Sequence, residues 1–172
     1  SEYPRGTLQV GTIRGLSSID IASSEAVWHN KTDYEVNSPK PRVMLPTDEG
    51  LWFAFMVNRS AGVVRYDGRT HHRITSDQGL VSDEVNDIQR LADGALWFLT
   101  RGGVSRYDGK RWVSYGSDRG LPSGNGPIMH EASDRTLWID SGDGTVTRFR
   151  PPLGNGPPET DLVQAPEAIP SH

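Results

Sequence analysis

The 172-residue sequence contains no cysteine, which excludes disulfide staples and thiolate zinc sites and leaves the redox compartment open. No apolar run approaches the roughly 20 residues that a membrane-crossing helix requires. Lys and Arg total 18 against 22 Asp and Glu, and the cations are scattered along the chain. Without a basic stripe to displace phosphate counterions, a nucleic-acid partner is not expected. Nor does a Ser/His/Asp constellation, a Gly-rich phosphate loop or a paired acid and base emerge. The sequence therefore predicts a protein without catalytic residues, cofactor or metal. What it has in quantity is 19 Gly and 12 Pro, a composition suited to short strands and turns rather than to a helical bundle. A first residue of Ser1 suits either a processed mature protein or an excised piece of a longer one.

The chain repeats itself. Leu51-Trp52-Phe53, Leu96-Trp97-Phe98 and Leu137-Trp138-Ile139 follow one another at 45 and 41 residues. Arg65-Tyr66-Asp67-Gly68 recurs 41 residues later as Arg106-Tyr107-Asp108-Gly109, with a degraded copy at Arg148-Phe149-Arg150. Ser76-Asp77-Gln78-Gly79-Leu80 is matched by Ser117-Asp118-Arg119-Gly120-Leu121. Three markers on one period of about 40–45 residues, each period holding four short strands, predict an all-β chain of β-propeller blades. In the best-preserved copy the strands fall at 85–91, 95–100, 103–107 and 111–115 (A to D). Asp93-Gly94 turns A into B, and Asp108-Gly109 turns C into D, a dipeptide favoured where both central residues need positive φ. Runs such as Leu-Trp-Phe-Ala-Phe are apolar on both sides, so they need cover on both faces, as neighbouring blades provide. Trp52, Trp97 and Trp138 are accordingly expected as repeated core residues between blades.

The ladder places about four antiparallel, four-stranded blades along the chain: a partial one at 7–29 supplying B, C and D, then 42–75 and 84–116, and a partial one at 127–150 supplying A to C. In the fourth copy Arg150-Pro151-Pro152 stands where Asp-Gly is expected, and Pro disfavours a tight hairpin into D. The tail 151–172 is Pro- and Gly-rich. Its segment Asp161–Ala165 is a candidate A strand for the first blade, closing a small ring, and the tail is equally a candidate arm for a partner. A closed four-bladed ring and an arc of a larger ring completed elsewhere are both compatible with the pattern.

Gly120-Leu121-Pro122-Ser123, Asp93-Gly94-Ala95-Leu96-Trp97-Phe98-Leu99-Thr100 and Gly102-Gly103-Val104-Ser105-Arg106-Tyr107-Asp108-Gly109 resemble the two-component regulator propeller repeat, over roughly residues 7–150. The resemblance implies an extracytoplasmic bacterial propeller, periplasmic or exported, of a kind used for ligand sensing ahead of histidine kinases. It brings no catalytic residues with it.

Within a blade the A–B and C–D turns share one side, and the longer B–C and D–A loops share the other, where binding is usually placed. The extra residues of the second copy lie around 56–61. Asn58 and Arg59 there, with Arg101 and Arg14 at or near the same loop of other copies, form the candidate binding set for a small anionic ligand or glycan. The plainer expectation is that these Arg are solvated or paired with a nearby acid. Asp140-Ser-Gly-Asp-Gly144 reads as a polar turn rather than a calcium loop, and His71-His72 point to opposite faces of a strand. The functional expectation is a non-enzymatic extracytoplasmic propeller acting as a protein-interaction or accessory subunit; the alternative is a ligand- or glycan-binding sensor propeller.

Overall fold

The computed structural model of the chain describes residues 6–12, 15–29, 41–55, 62–121, 126, 128–152 and 159–164. Among them the regular structure is β-strand with two short 3₁₀ turns. The first sheet holds β1 (Thr7–Thr12), β2 (Gly15–Asp20) and β3 (Ala26–His29). The second holds β4 (Pro41–Thr47), β5 (Gly50–Phe55), β6 (Val63–Tyr66) and β7 (His71–Ile74). The third holds β8 (Val85–Arg90), β9 (Leu96–Thr100), β10 (Gly103–Tyr107) and β11 (Trp112–Tyr115). The fourth holds β12 (Met129–Glu131), β13 (Leu137–Asp140), β14 (Thr145–Arg150) and β15 (Glu159–Gln164). Strands neighbour in chain order within each sheet, and every described pairing is antiparallel. The chain is an all-β propeller array.

The side chains of each sheet sort onto two faces, because neighbours on a strand point opposite ways. In the third sheet Leu96, Phe98, Tyr107 and Trp112 face the second sheet, where they join Trp52, Ala54 and Val63 in one buried cluster. Trp97, Leu99, Val104 and Tyr115 face the fourth sheet and join Met129, Leu137, Ile139 and Phe149. Leu51, Phe53, Phe55 and Val64 form a third buried cluster on the other face of the second sheet. At the first sheet, a Cβ on Gly11 would lie 2.6 Å from Cγ of Pro41, so only glycine admits this approach. Polar ties cross the interfaces too. Arg42 Nε donates to the Asn86 carbonyl (2.9 Å), and the Glu131 carboxylate accepts from the Ala92 N–H (2.8 Å).

Three features depart from the sequence reading. First, the segment proposed as the inner strand of the first sheet lies in β15, which pairs with β14 as the fourth strand of the fourth sheet, Arg148 opposite Asp161. The two prolines do prevent a tight hairpin, and the chain makes the turn with a longer connection instead. Second, the Asp-Gly turns do not have two positive φ angles. Gly68 and Gly109 take φ of 98° and 90°, while Asp67 and Asp108 stay outside the left-handed region and act through their carboxylates. Oδ1 of Asp108 accepts from the N–H groups of Lys110 and Arg111 (3.0 and 2.8 Å), and Asp67 does the same for Arg69 and Thr70. Third, the repeated tryptophans do not share one environment. Trp52 and Trp97 are 2% and 1% exposed, whereas Trp138 is half-buried. It sits on the face of the fourth sheet away from the third.

Candidate functional site

The indole of Trp52 shows how one sheet seals against the next. Phe98, Tyr107 and Trp112 of the third sheet surround it at ring-centroid distances of 5.4, 5.7 and 6.5 Å. Trp112, opposite Tyr107 in the ladder, stacks on that ring at 4.7 Å. The second sheet repeats the arrangement with His71 stacked on Tyr66 at 4.5 Å. In the fourth sheet the register position opposite Phe149 belongs to Thr160. Tyr115, where the second sheet has Ile74, packs on Trp97 and Phe149 at 6.1 and 5.2 Å between the third and fourth sheets.

A groove of about 830 Å³ opens at this interface, on the side of the A–B and C–D turns. Such a volume falls within the range of small-molecule sites. Trp97, Val113 and Tyr115 of the third sheet form its apolar wall, and Pro151 and Pro152 at the end of β14 face them. Val113 is 41% exposed, at the position where the second sheet has His72. Tyr115 lies parallel to Trp97 at 6.1 Å, and burial pushes its phenol pKa up.

The rim is charged. Arg106, Arg119, Arg135 and Arg150 line it together with Asp93, Glu131 and Asp134. Arg106 Nε donates to Oδ2 of Asp93 at 2.7 Å, and the Trp97 Nε1–H reaches Oδ1 of the same carboxylate at 3.3 Å. That Arg therefore has a structural partner, as does its counterpart Arg65, 3.6 Å from Glu49 and 5.9 Å from the Trp52 ring centroid. The Arg119 guanidinium lies over the Tyr115 ring at 5.7 Å. Arg135 and Arg150 stand 3.6 and 3.9 Å from Glu131 and Asp134. Arg135 has φ of +69°, at the turn position that Gly94 holds in the third sheet with φ of +79°. A left-handed backbone costs a side-chain-bearing residue roughly 1–2 kcal/mol.

Of the predicted binding set, Arg101 alone falls among the described residues. Arg101 is exposed in the β9–β10 turn, on the opposite side of the sheets. Its Nη1 lies 3.3 Å from Glu84, and its N–H donates to the Glu84 carbonyl at 2.9 Å. Asn58, Arg59 and Arg14 lie outside the described residues. Asp140 and Asp143 accept from Gly142 N–H and from the Thr145 N–H and hydroxyl. Among the described residues no group of three His, Asp or Glu could hold a metal ion. The groove lies on the side of the short turns, not of the longer loops that the repeat pattern singles out. Its sequence signals were the Pro-Pro break in the C–D turn and an Arg where the repeat has Gly.

No protein-family model matches the sequence, and no curated protein does. Solved structures match its fold. The extracellular domain assigned to the hybrid two-component system BT4673 of B. thetaiotaomicron matches 98% of this chain with a TM-score of 0.67 at 15% identity. The one assigned to BT3049 of the same organism matches 86% with a TM-score of 0.60 at 17% identity. The likeness is one of fold. This chain spans 24% and 19% of the lengths of those two chains. Among the described residues no helix is long and apolar enough to cross a membrane.

Proposed function

We propose that the chain is an arc of a larger propeller, acting outside the bacterial cytoplasm as a non-enzymatic interaction module. The half-buried indole of Trp138 carries this reading. Trp52 and Trp97 are sealed by the following sheet, and Trp138 occupies the same place in the fourth sheet, where it is half-buried among the described residues. Val146, also half-buried, shares that face with it. A face that presents the residues which receive a neighbouring sheet elsewhere in the chain is suited to receive one more, from another chain or a second copy. Similarity to extracellular domains supports the location. Light scattering on the purified 18.9 kDa chain tests it. A mass above one chain, reduced to one chain by Trp138→Arg, supports the module; a compact monomer at all concentrations overturns it.

A second reading, a ligand-binding sensor propeller, is favoured by the groove between the third and fourth sheets. Its apolar wall and charged rim suit an amphipathic small molecule better than a protein surface.

A further inference from the structure

Each buried contact between neighbouring sheets joins two unlike halves. One half is the face that looks toward the next sheet and carries Trp52 or Trp97; the other looks back and carries Leu96 with Phe98 and Tyr107, or Leu137 with Ile139 and Phe149. The leucine of the second half is a sensitive marker of cover. Leu51, Leu96 and Leu137 stand opposite Tyr66, Tyr107 and Phe149 in their ladders and are 0%, 5% and 0% exposed. Leu8 holds the same place in the first sheet, opposite Ile19, and is 43% exposed. Half-buried Val10 and Ile19 and exposed Ala26 share its face. That face looks away from the second sheet, since Gly11, on the opposite face, is the residue that approaches Pro41.

The fourth sheet carries the other half. Trp138 stands opposite Arg148 as Trp52 stands opposite Arg65 and Trp97 opposite Arg106, yet it is half-buried. One chain thus presents, on its first and fourth sheets, one copy of each half of the contact that it makes internally. A second copy supplies the fitting half for both, and burial of the leucine and the indole drives the association. Two copies of four sheets give eight, the upper end of the roughly four to eight blades typical of propellers. Three copies would exceed it.

We propose that the partner is a second copy of this chain, with the Trp138 face of each copy seated on the Leu8 face of the other to close a ring of eight sheets. The proposal rests on the interaction-module reading and names its partner. Val10 and Ala26 stand where the third sheet has Phe98 and Trp112, so this contact is smaller than the internal ones and depends on concentration.

The test is sedimentation velocity of the full chain from about 1 to 100 μM, a span that covers weak and standard contacts. A species of twice the 18.9 kDa of one chain is expected, growing with concentration. Leu8→Arg and Trp138→Arg each place an unpaired charge in both contacts of the ring, and each alone should weaken association at least about tenfold. Leu8→Gln and Trp138→Gln take their place if either Arg variant loses its fold, read from its urea midpoint. Leu8→Arg keeps an intact Trp138 face, and Trp138→Arg keeps an intact Leu8 face. An equimolar mixture, with one variant carrying a fluorophore, should therefore form a one-to-one pair that neither variant forms alone. If Leu8→Arg associates by itself as the unchanged chain does, or the mixture stays monomeric, the head-to-tail contact is overturned and the module reading stands. A mass that keeps rising beyond two copies overturns the closed pair in the same way. An unchanged chain that is monomeric throughout removes both.

Discussion

A tryptophan in this chain is worth what the next sheet makes of it. Trp97 is enclosed by Tyr115, Phe149 and the apolar cluster around them, and its Nε1–H finds Asp93. Trp97→Ala removes a large buried ring and leaves a cavity that rigid strands cannot close. A loss of about 3–5 kcal/mol in urea unfolding is expected. Trp138→Ala in the single chain should cost less than half as much, because the indole is half-buried to begin with. Equal losses would contradict the assigned faces. Arg135 gives the opposite sign. With φ of +69° it should gain roughly 1 kcal/mol on change to Gly, read as a higher urea midpoint. The Trp spacing was legible in the sequence because an apolar run on both sides of a strand has few uses. The difference between Trp97 and Trp138 was not, since it depends on which face has a neighbour. Arg135 was legible in principle, as Arg at a Gly position of the repeat.

At the level of strands and turns, the third sheet follows the sequence closely. The expected strand at 103–107 is β10 without change, and the others shift by one residue at an end. Asp-Gly marked the turns correctly, but through Asp as an acceptor rather than through a second positive φ. The same acceptor role makes the turns sensitive to acid. Hydrogen bonds from the Arg111 and Lys110 N–H groups hold the Asp108 carboxyl below its usual pKa. The Thr70 N–H, then His72 and the Arg69 N–H, do the same for Asp67. A folded-state pKa below the unfolded value of about 3.9 adds stability that is complete above that pH and lost as pH falls through the folded pKa. The urea midpoint is therefore expected to decline from about pH 5 to pH 2, and Asp67→Asn with Asp108→Asn should flatten that decline. An unchanged slope in the double variant would exclude these turns as its source. The tail strand was the least legible element. The Pro-Pro pair disfavoured a tight hairpin, but a strand that returns after a longer connection leaves little local pattern, and the segment offered as a closing strand for the first sheet pairs in the fourth.

At the scale of the molecule, four sheets stack in chain order, and every interface with described side chains uses the same apolar and aromatic positions. Heterologous contacts of this kind close into rings or continue, and the number of units is not written in any one interface. That is why the repeat pattern left a closed four-bladed ring and a larger one equally open. The arc proposed above rests on the half-buried Trp138, which in a closed ring of four would face the first sheet. The groove between the third and fourth sheets is a property of the same scale. It is lined by the turns of both sheets and by Pro151 and Pro152, so no single copy of the repeat shows it.

The most direct measurement is ¹⁹F NMR of the chain labelled with 5-fluorotryptophan, assigned by single Trp→Phe changes and followed through a dilution series with a soluble gadolinium chelate as paramagnetic relaxation agent. The Trp52 and Trp97 resonances are expected to ignore both dilution and the chelate. The Trp138 resonance should broaden with the chelate in dilute solution and become protected as concentration rises. A Trp138 signal as protected as those of Trp52 and Trp97 at every concentration would show its face already covered within one chain, and would contradict the open arc.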